Sequence, residues 1–105
     1  MSILIRPPGQ PLAALDKRAS DARYYQLDCS LLLSQFELLV AVVSVQGDSV
    51  DLERCKIGVN NTVSLYLKPV DCPATTPYIE TPISIVCKTS QGDVQASLML
   101  RVHKF

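Results

Sequence analysis

The stretch that decides the fold is Val94-Gln95-Ala96-Ser97-Leu98-Met99-Leu100-Arg101-Val102-His103. Val94, Ala96, Leu98, Leu100 and Val102 share one parity, and Gln95, Ser97, Met99, Arg101 and His103 share the other. A period of two over ten residues predicts a half-buried strand, with one face in a core and one wet. The same rhythm recurs upstream in Val63, Leu65 and Leu67, in Ile83, Ile85 and Cys87, and in Tyr25, Leu27 and Cys29. Leu65, Ile85, Leu98 and Leu100 are therefore expected to meet in one core.

The joints between these runs carry turn chemistry. Gln91-Gly92-Asp93 and Gln46-Gly47-Asp48-Ser49 separate neighbouring runs, and Asn60-Asn61 stands where a tight hairpin wants positive φ. Asn60-Asn61-Thr62 also spells a glycosylation acceptor, but the hairpin reading takes precedence. Pro69 through Pro82 holds four prolines and reads as a long crossover. Strands are expected near 23–29, 36–46, 50–58, 62–68, 78–80, 83–89 and 94–103. About seven short strands in some 80 residues predict an all-β fold, an Ig-like antiparallel β-sandwich.

Two runs depart from simple alternation. Across 36–46, Phe36, Leu38, Val40 and Val42 form one face, and Leu39, Ala41, Val43 and Val45 form the other, so both are apolar. Either the strand is central and covered by the N-terminal segment or the Leu31-Leu32-Leu33 plug, or it is buried against another subunit. Across 50–58 the apolar parity changes between Leu52 and Cys55, which predicts a bulge near Glu53-Arg54.

Residues 1–22 read differently from residues 23–105. Ile3-Leu4-Ile5 is a short apolar patch, followed by Pro7, Pro8 and Pro11, three prolines in five positions. The segment is expected to be an extended arm attached to the 23–105 sandwich, its prolines denying it backbone donors. On this reading Ile3, Leu4 and Ile5 meet a neighbouring subunit. Tyr24, the outward member of Tyr24-Tyr25, and Leu39, Val43 and Val45 complete the expected subunit interface.

Composition narrows the function. The chain has 105 residues, 48% hydrophobic and 19% charged, enough for one domain with a core. Ten Lys plus Arg balance ten Asp plus Glu, so no basic field exists to hold nucleic acid. The longest apolar run, Leu38–Val43, is six residues, against the ~20 a spanning helix needs. The N-terminus lacks the charged and apolar regions of a signal peptide. Reduced thiols are thus expected at Cys29, Cys55, Cys72 and Cys87, with Cys87 the least accessible. No C-x-x-C pair suggests zinc. His103, the lone histidine, falls on the wet parity, and the four glycines form no phosphate loop. Asp48, Asp51 and Asp71 lie at turns without EF-hand spacing. Neither catalysis nor a cofactor is expected.

From Lys17 to Val102 the chain resembles a family of small Ig-like structural proteins of tailed bacteriophages, described as fiber–tail adaptors. The matching residues begin with Lys17 and Tyr25-x-Leu27-Asp28-x-Ser30-x-Leu32-Leu33. They continue through the apolar run after Glu37, Asn61-Thr62-Val63-x-Leu65-x-Leu67 and Tyr78-Ile79-x-Thr81. Val86-x-x-Thr89-x-x-Gly92 and Leu98-x-Leu100-x-Val102 close the pattern. Two features depart from it: no Trp stands near Ser30, and Asp71-Cys72-Pro73-Ala74 replaces a glycine-rich loop. The resemblance implies a non-enzymatic virion protein, assembled in the host cytoplasm and joining tail components or tail to fiber. It further implies partners among other virion proteins and a homo-oligomeric state, with no role for nucleic acid or membrane. The alternatives are a head or neck decoration protein of the same fold and an exported bacterial adhesion module held by disulfides.

Overall fold

Each alternating run finds its ladder. A computed structural model of the chain describes residues 2–47, 49–72, 75 and 77–104. Asp48, Pro73 and Ala74, singled out in the sequence, lie outside the described residues. The strands are β1 (Ser2–Leu4), β2 (Ala13–Arg18), β3 (Arg23–Asp28), β4 (Leu39–Gln46), β5 (Lys56–Ile57), β6 (Thr62–Leu67), β7 (Tyr78–Thr89) and β8 (Gly92–His103). They form two four-stranded sheets, ordered β1-β3-β6-β5 and β2-β8-β7-β4. The fold is the expected all-β sandwich, with eight strands among the described residues.

The core lies between the sheets and follows the parity of the sequence. Leu27, Val63, Leu65 and Leu67 from one sheet meet Ile83, Ile85, Leu98, Leu100 and Val102 from the other, all fully buried. The β7–β8 hairpin is its backbone, paired without a slip from Tyr78↔His103 to Thr89↔Gly92. Because β7 is continuous, the two short strands expected over 78–89 are one. Pro82 is tolerated inside it because the β4 ladder stops at Ser84, leaving β7 with a partner on one side only. The Asn60-Asn61 turn forms as expected, with φ of 56° and 60°. A 3₁₀ turn at Ser30–Leu32 makes the expected plug, and Leu32 and Leu33 rest on the core.

The N-terminal segment is the largest correction: it is not a projecting arm. β1 runs parallel to β3, with Ile3 opposite Leu27, and Ile5 N–H donates to the Asp28 carbonyl at 2.9 Å. Ile5 is fully buried. The chain then crosses to the second sheet, where β2 runs parallel to β8 from Ala13↔Leu98 to Arg18↔His103. The three prolines fall in the crossover, where no ladder asks for their missing donors, and the residues on either side keep theirs. Two of the pairings are consequently parallel, where an all-antiparallel sandwich was expected.

In β2, Ala13, Leu15 and Lys17 point inward and Ala14, Asp16 and Arg18 outward. Lys17 is the surprising member. Its side chain runs through the sandwich edge, and Nζ donates to the Arg18 and Asp21 carbonyls at 2.7 Å each. Burial holds its ammonium below the usual lysine range, and Asp21 pushes the other way. This lysine clamps the turn that links the two sheets.

The 50–58 segment holds a turn rather than a bulge. Leu52–Arg54 form one 3₁₀ turn, capped by the Asp51 carboxylate accepting from Glu53 N–H at 3.1 Å. That turn shifts the parity between Leu52 and Ile57. The irregularities appear in β4 instead, where the register against β7 slips between Leu39 and Ala41 and again between Val42 and Ser44. Each slip inserts a residue, so the residues resting on the core are spaced by three: Leu39, Val42 and Val45.

Candidate functional site

β4 is neither central nor covered. It is the last strand of its sheet, β7 is its only ladder partner among the described residues, and neither the N-terminal segment nor the Leu31–Leu33 turn shields it. The two slips turn Val40 and Val43 to solvent, 55% and 53% exposed, and the approach to the strand adds Phe36 at 85% and Leu38 at 60%. No charged residue interrupts Leu38 to Val45. Edge strands usually carry charges that repel new partners, and this one has bulges but no such charge. This uncharged apolar stripe on an edge is the candidate site of the molecule, the kind of patch that monomers seldom leave open.

The residues expected at an interface divide accordingly. Val43 is on the exposed stripe, and Tyr24 and Leu4 are about half exposed on the other sheet. Ile5 and Leu39 are buried in the chain's own core, and Ile3 and Val45 pack against it. The parity assumed for 36–46 misplaced Leu39 and Val45, because a bulge leaves no mark in composition. Tyr24 stacks edge-on against Tyr66 at 5.0 Å between centroids, and the Arg54 guanidinium lies 4.6 Å over the Tyr66 ring. The three side chains form one stacked row on the first sheet.

Phe36, Leu38 and Val40 were assigned to one face of a strand, not to the interface. The structure places Phe36 in a turn, with φ of 66°, a conformation uncommon for a bulky side chain. Glu37, beside it, is buried. Its carboxylate accepts the Ser34 N–H at 2.8 Å and the Thr89 hydroxyl, and those two bonds hold it below the usual carboxylate range, Thr89 contributing most. Leu38 N–H donates to Ser90 Oγ at 3.0 Å, and Ser90 N–H returns a bond to the Leu38 carbonyl at 2.9 Å. The signal for this turn in the sequence is Ser34-x-x-Glu37, which competes there with the apolar alternation that starts at Phe36.

The polar end of the sandwich has a cleft of about 580 Å³ lined by Asp16, Lys17, Arg18, Asp21, Arg23 and His103. His103 Nε2 lies 2.8 Å from Asp16 Oδ1, and its ring stacks on Tyr78 at 5.8 Å. Among the described residues, no Ser, Thr or Cys lines this cleft beside the imidazole. Among the described residues, no cluster of three His, Cys, Asp or Glu could hold a metal, and no helix is long and apolar enough to cross a membrane.

All four cysteines are unbridged. Burial pushes the Cys29 thiol up to about 12 and the Cys87 thiol up to about 11, and Cys55 moves the same way for the same reason. Because the thiolate is the reactive form, Cys29 and Cys87 should react only when the sandwich opens. Titration of native protein at pH 8 should show half-buried Cys55 and Cys72 reacting first. All four should react after denaturation without reductant. Four equally fast thiols in the native state would contradict the buried positions of Cys29 and Cys87.

The fold and surface thus define a two-sheet β-sandwich with one uncharged apolar edge. No protein-family model, curated protein or solved structure matches the chain.

Proposed function

We propose that the chain is a non-enzymatic structural protein of a tailed-phage virion, joining tail components or tail to fiber through contacts between subunits. The observation that carries this reading is the exposed stripe Phe36, Leu38, Val40 and Val43 on an edge strand. Formal charge +0 suits close packing among many copies, since no net repulsion has to be overcome. The phage assignment comes from the resemblance over Lys17–Val102. On this reading the partners are other virion proteins and the place of assembly is the host cytoplasm.

Mass spectrometry of purified virions tests the role. The chain should appear at a fixed stoichiometry to tail proteins. Stoichiometry to the capsid shell instead would indicate head or neck decoration, and absence from particles would reject the proposal. Val40→Lys with Val43→Lys should reduce incorporation at least tenfold. The thermal midpoint should barely move, because exposed substitutions are usually within about 0.5 kcal/mol of neutral.

A further inference from the structure

The cleft at the polar end of the sandwich is cationic, although the chain as a whole carries no net charge. Its lining sets three fixed cations, Lys17, Arg18 and Arg23, against the carboxylates of Asp16 and Asp21. Asp16 is already engaged by His103 at 2.8 Å. Among the described residues the ion pairs are Arg54–Asp51, Arg101–Glu80 and His103–Asp16, so neither arginine of the cleft has a carboxylate in contact. Asp21 attracts Lys17 and Arg23 without an ion-pair contact to either.

These cations are fixed before any ligand arrives. Lys17 is only 3% exposed, and its ammonium donates two of its three N–H groups to the Arg18 and Asp21 carbonyls. The third has no acceptor among the described residues, and a buried donor left unbonded is costly. Arg23 Nε donates to Tyr25 Oη at 3.1 Å, and its guanidinium lies 5.2 Å over the Tyr25 ring. That contact orients the guanidinium fork and leaves its Nη donors for another partner. Arg18 ends β2 opposite His103 in the ladder. The turn between the two arginines is pinned as well. Asp21 N–H donates to the Arg18 carbonyl at 3.1 Å, Ala19 N–H to the His103 carbonyl at 2.8 Å, and Val70 N–H to the Ala19 carbonyl at 2.8 Å.

We propose that this cleft binds a phosphomonoester, its phosphate held by Arg18, Arg23 and the remaining Lys17 N–H. Charge selects an anion, and three cations against one unengaged carboxylate favour a dianion over a single negative charge. Guanidinium forks match phosphate oxygens in geometry as well as in charge. The cleft volume of about 580 Å³ lies within the roughly 300–1,000 Å³ of small-molecule sites and leaves room for an organic group beyond the phosphate. A nucleic-acid strand fits less well, because three cations in one pocket flanked by Asp16 and Asp21 make no continuous track for a backbone. The site stands at the opposite end of β8 from the Ser90 turn that holds Leu38, and it rests on no part of the virion reading.

Isothermal titration calorimetry of the full chain, at constant ionic strength, is the test. Glycerol 3-phosphate should bind one to one with a dissociation constant of about 1 mM or below. Inorganic phosphate should bind no more tightly, and acetate at least tenfold more weakly. Arg18→Gln and Arg23→Gln, both at exposed positions, should each weaken the ester at least fivefold with little change in the thermal midpoint of the unliganded chain. Lys88→Gln removes the same charge at the other end of the β7–β8 hairpin and should leave binding unchanged. No saturable binding of the ester up to about 10 mM overturns the proposal. So does equal weakening by Lys88→Gln, which would reduce the effect to net charge, or unchanged binding in both arginine variants. Binding of inorganic phosphate without the ester would leave an ion site only and reject the phosphomonoester, and tighter binding of a single-stranded oligonucleotide would reject it in favour of nucleic acid.

Discussion

Deleting residues 1–11 should lower the thermal midpoint by about 15 °C or more, or prevent folding at 37 °C. The segment supplies β1, whose residues pair with Gln26, Leu27 and Asp28, and Ile5, whose side chain has no exposed surface. Removing a buried Ile side chain costs about 2–5 kcal/mol, and the deletion also uncovers the core beneath it and strips the β3 edge of its ladder. Domains of this size are stable by only about 5–15 kcal/mol, and each kcal/mol moves the midpoint by roughly 4–8 °C. Calorimetry of the truncated chain checks this. Ile5→Ala separates the core contribution from that of the strand, and should by itself account for about 2–5 kcal/mol. A midpoint within about 4 °C of wild type for the truncation would return the segment to the status of an arm.

Leu98→Ala should cost about 2–5 kcal/mol in denaturant titration, toward the upper half of that range. Leu98 is fully buried on β8, the strand paired to β2 on one side and to β7 on the other. Leu98 itself stands between two ladders, with Ala13 opposite on one side and Ile83 on the other, so the site has little freedom to close over the lost volume. The denaturant slope should stay the same, since the surface exposed on unfolding is nearly unchanged. A loss under about 1 kcal/mol would mean that the sheet relaxes around the cavity.

The contrast between these two substitutions shows which parts of the fold are legible. Leu98 was placed from its own decamer, because side-chain parity in a strand is a local property. The same held for Leu65 and Ile85, and for the Asn60-Asn61 turn, whose residue types fit positive φ without reference to anything distant. Ile5 was misplaced because its partner, the edge of β3, lies more than twenty residues away and β1 contributes only three residues of pattern. In β2 the inward parity was masked by Lys17, a charged residue whose ammonium finds two backbone carbonyls instead of water.

The apolar edge was legible in composition but not in detail. Six consecutive apolar residues at Leu38–Val43 announced an unusual strand, and Val43 was correctly set outside the core. Leu39 and Val45 could not be separated from it, because a bulge is an extra residue set against a partner strand and exists only once that strand is in place. The turn that exposes Phe36 became visible only through the Thr89 and Ser90 bonds, which join residues more than fifty positions apart.

By itself the sequence determined the all-β class, the inward faces of β3, β6, β7 and β8, and the near-absence of chemistry-bearing motifs. Each of these depends on residue type and on a spacing of a few positions. Tertiary structure alone decided which strands stand next to each other, that β4 is an edge, and that the N-terminal segment spans both sheets. Strand pairing is a contest among distant backbones with equivalent hydrogen-bonding groups, and it is settled by which arrangement buries the most apolar surface, a quantity no local window contains.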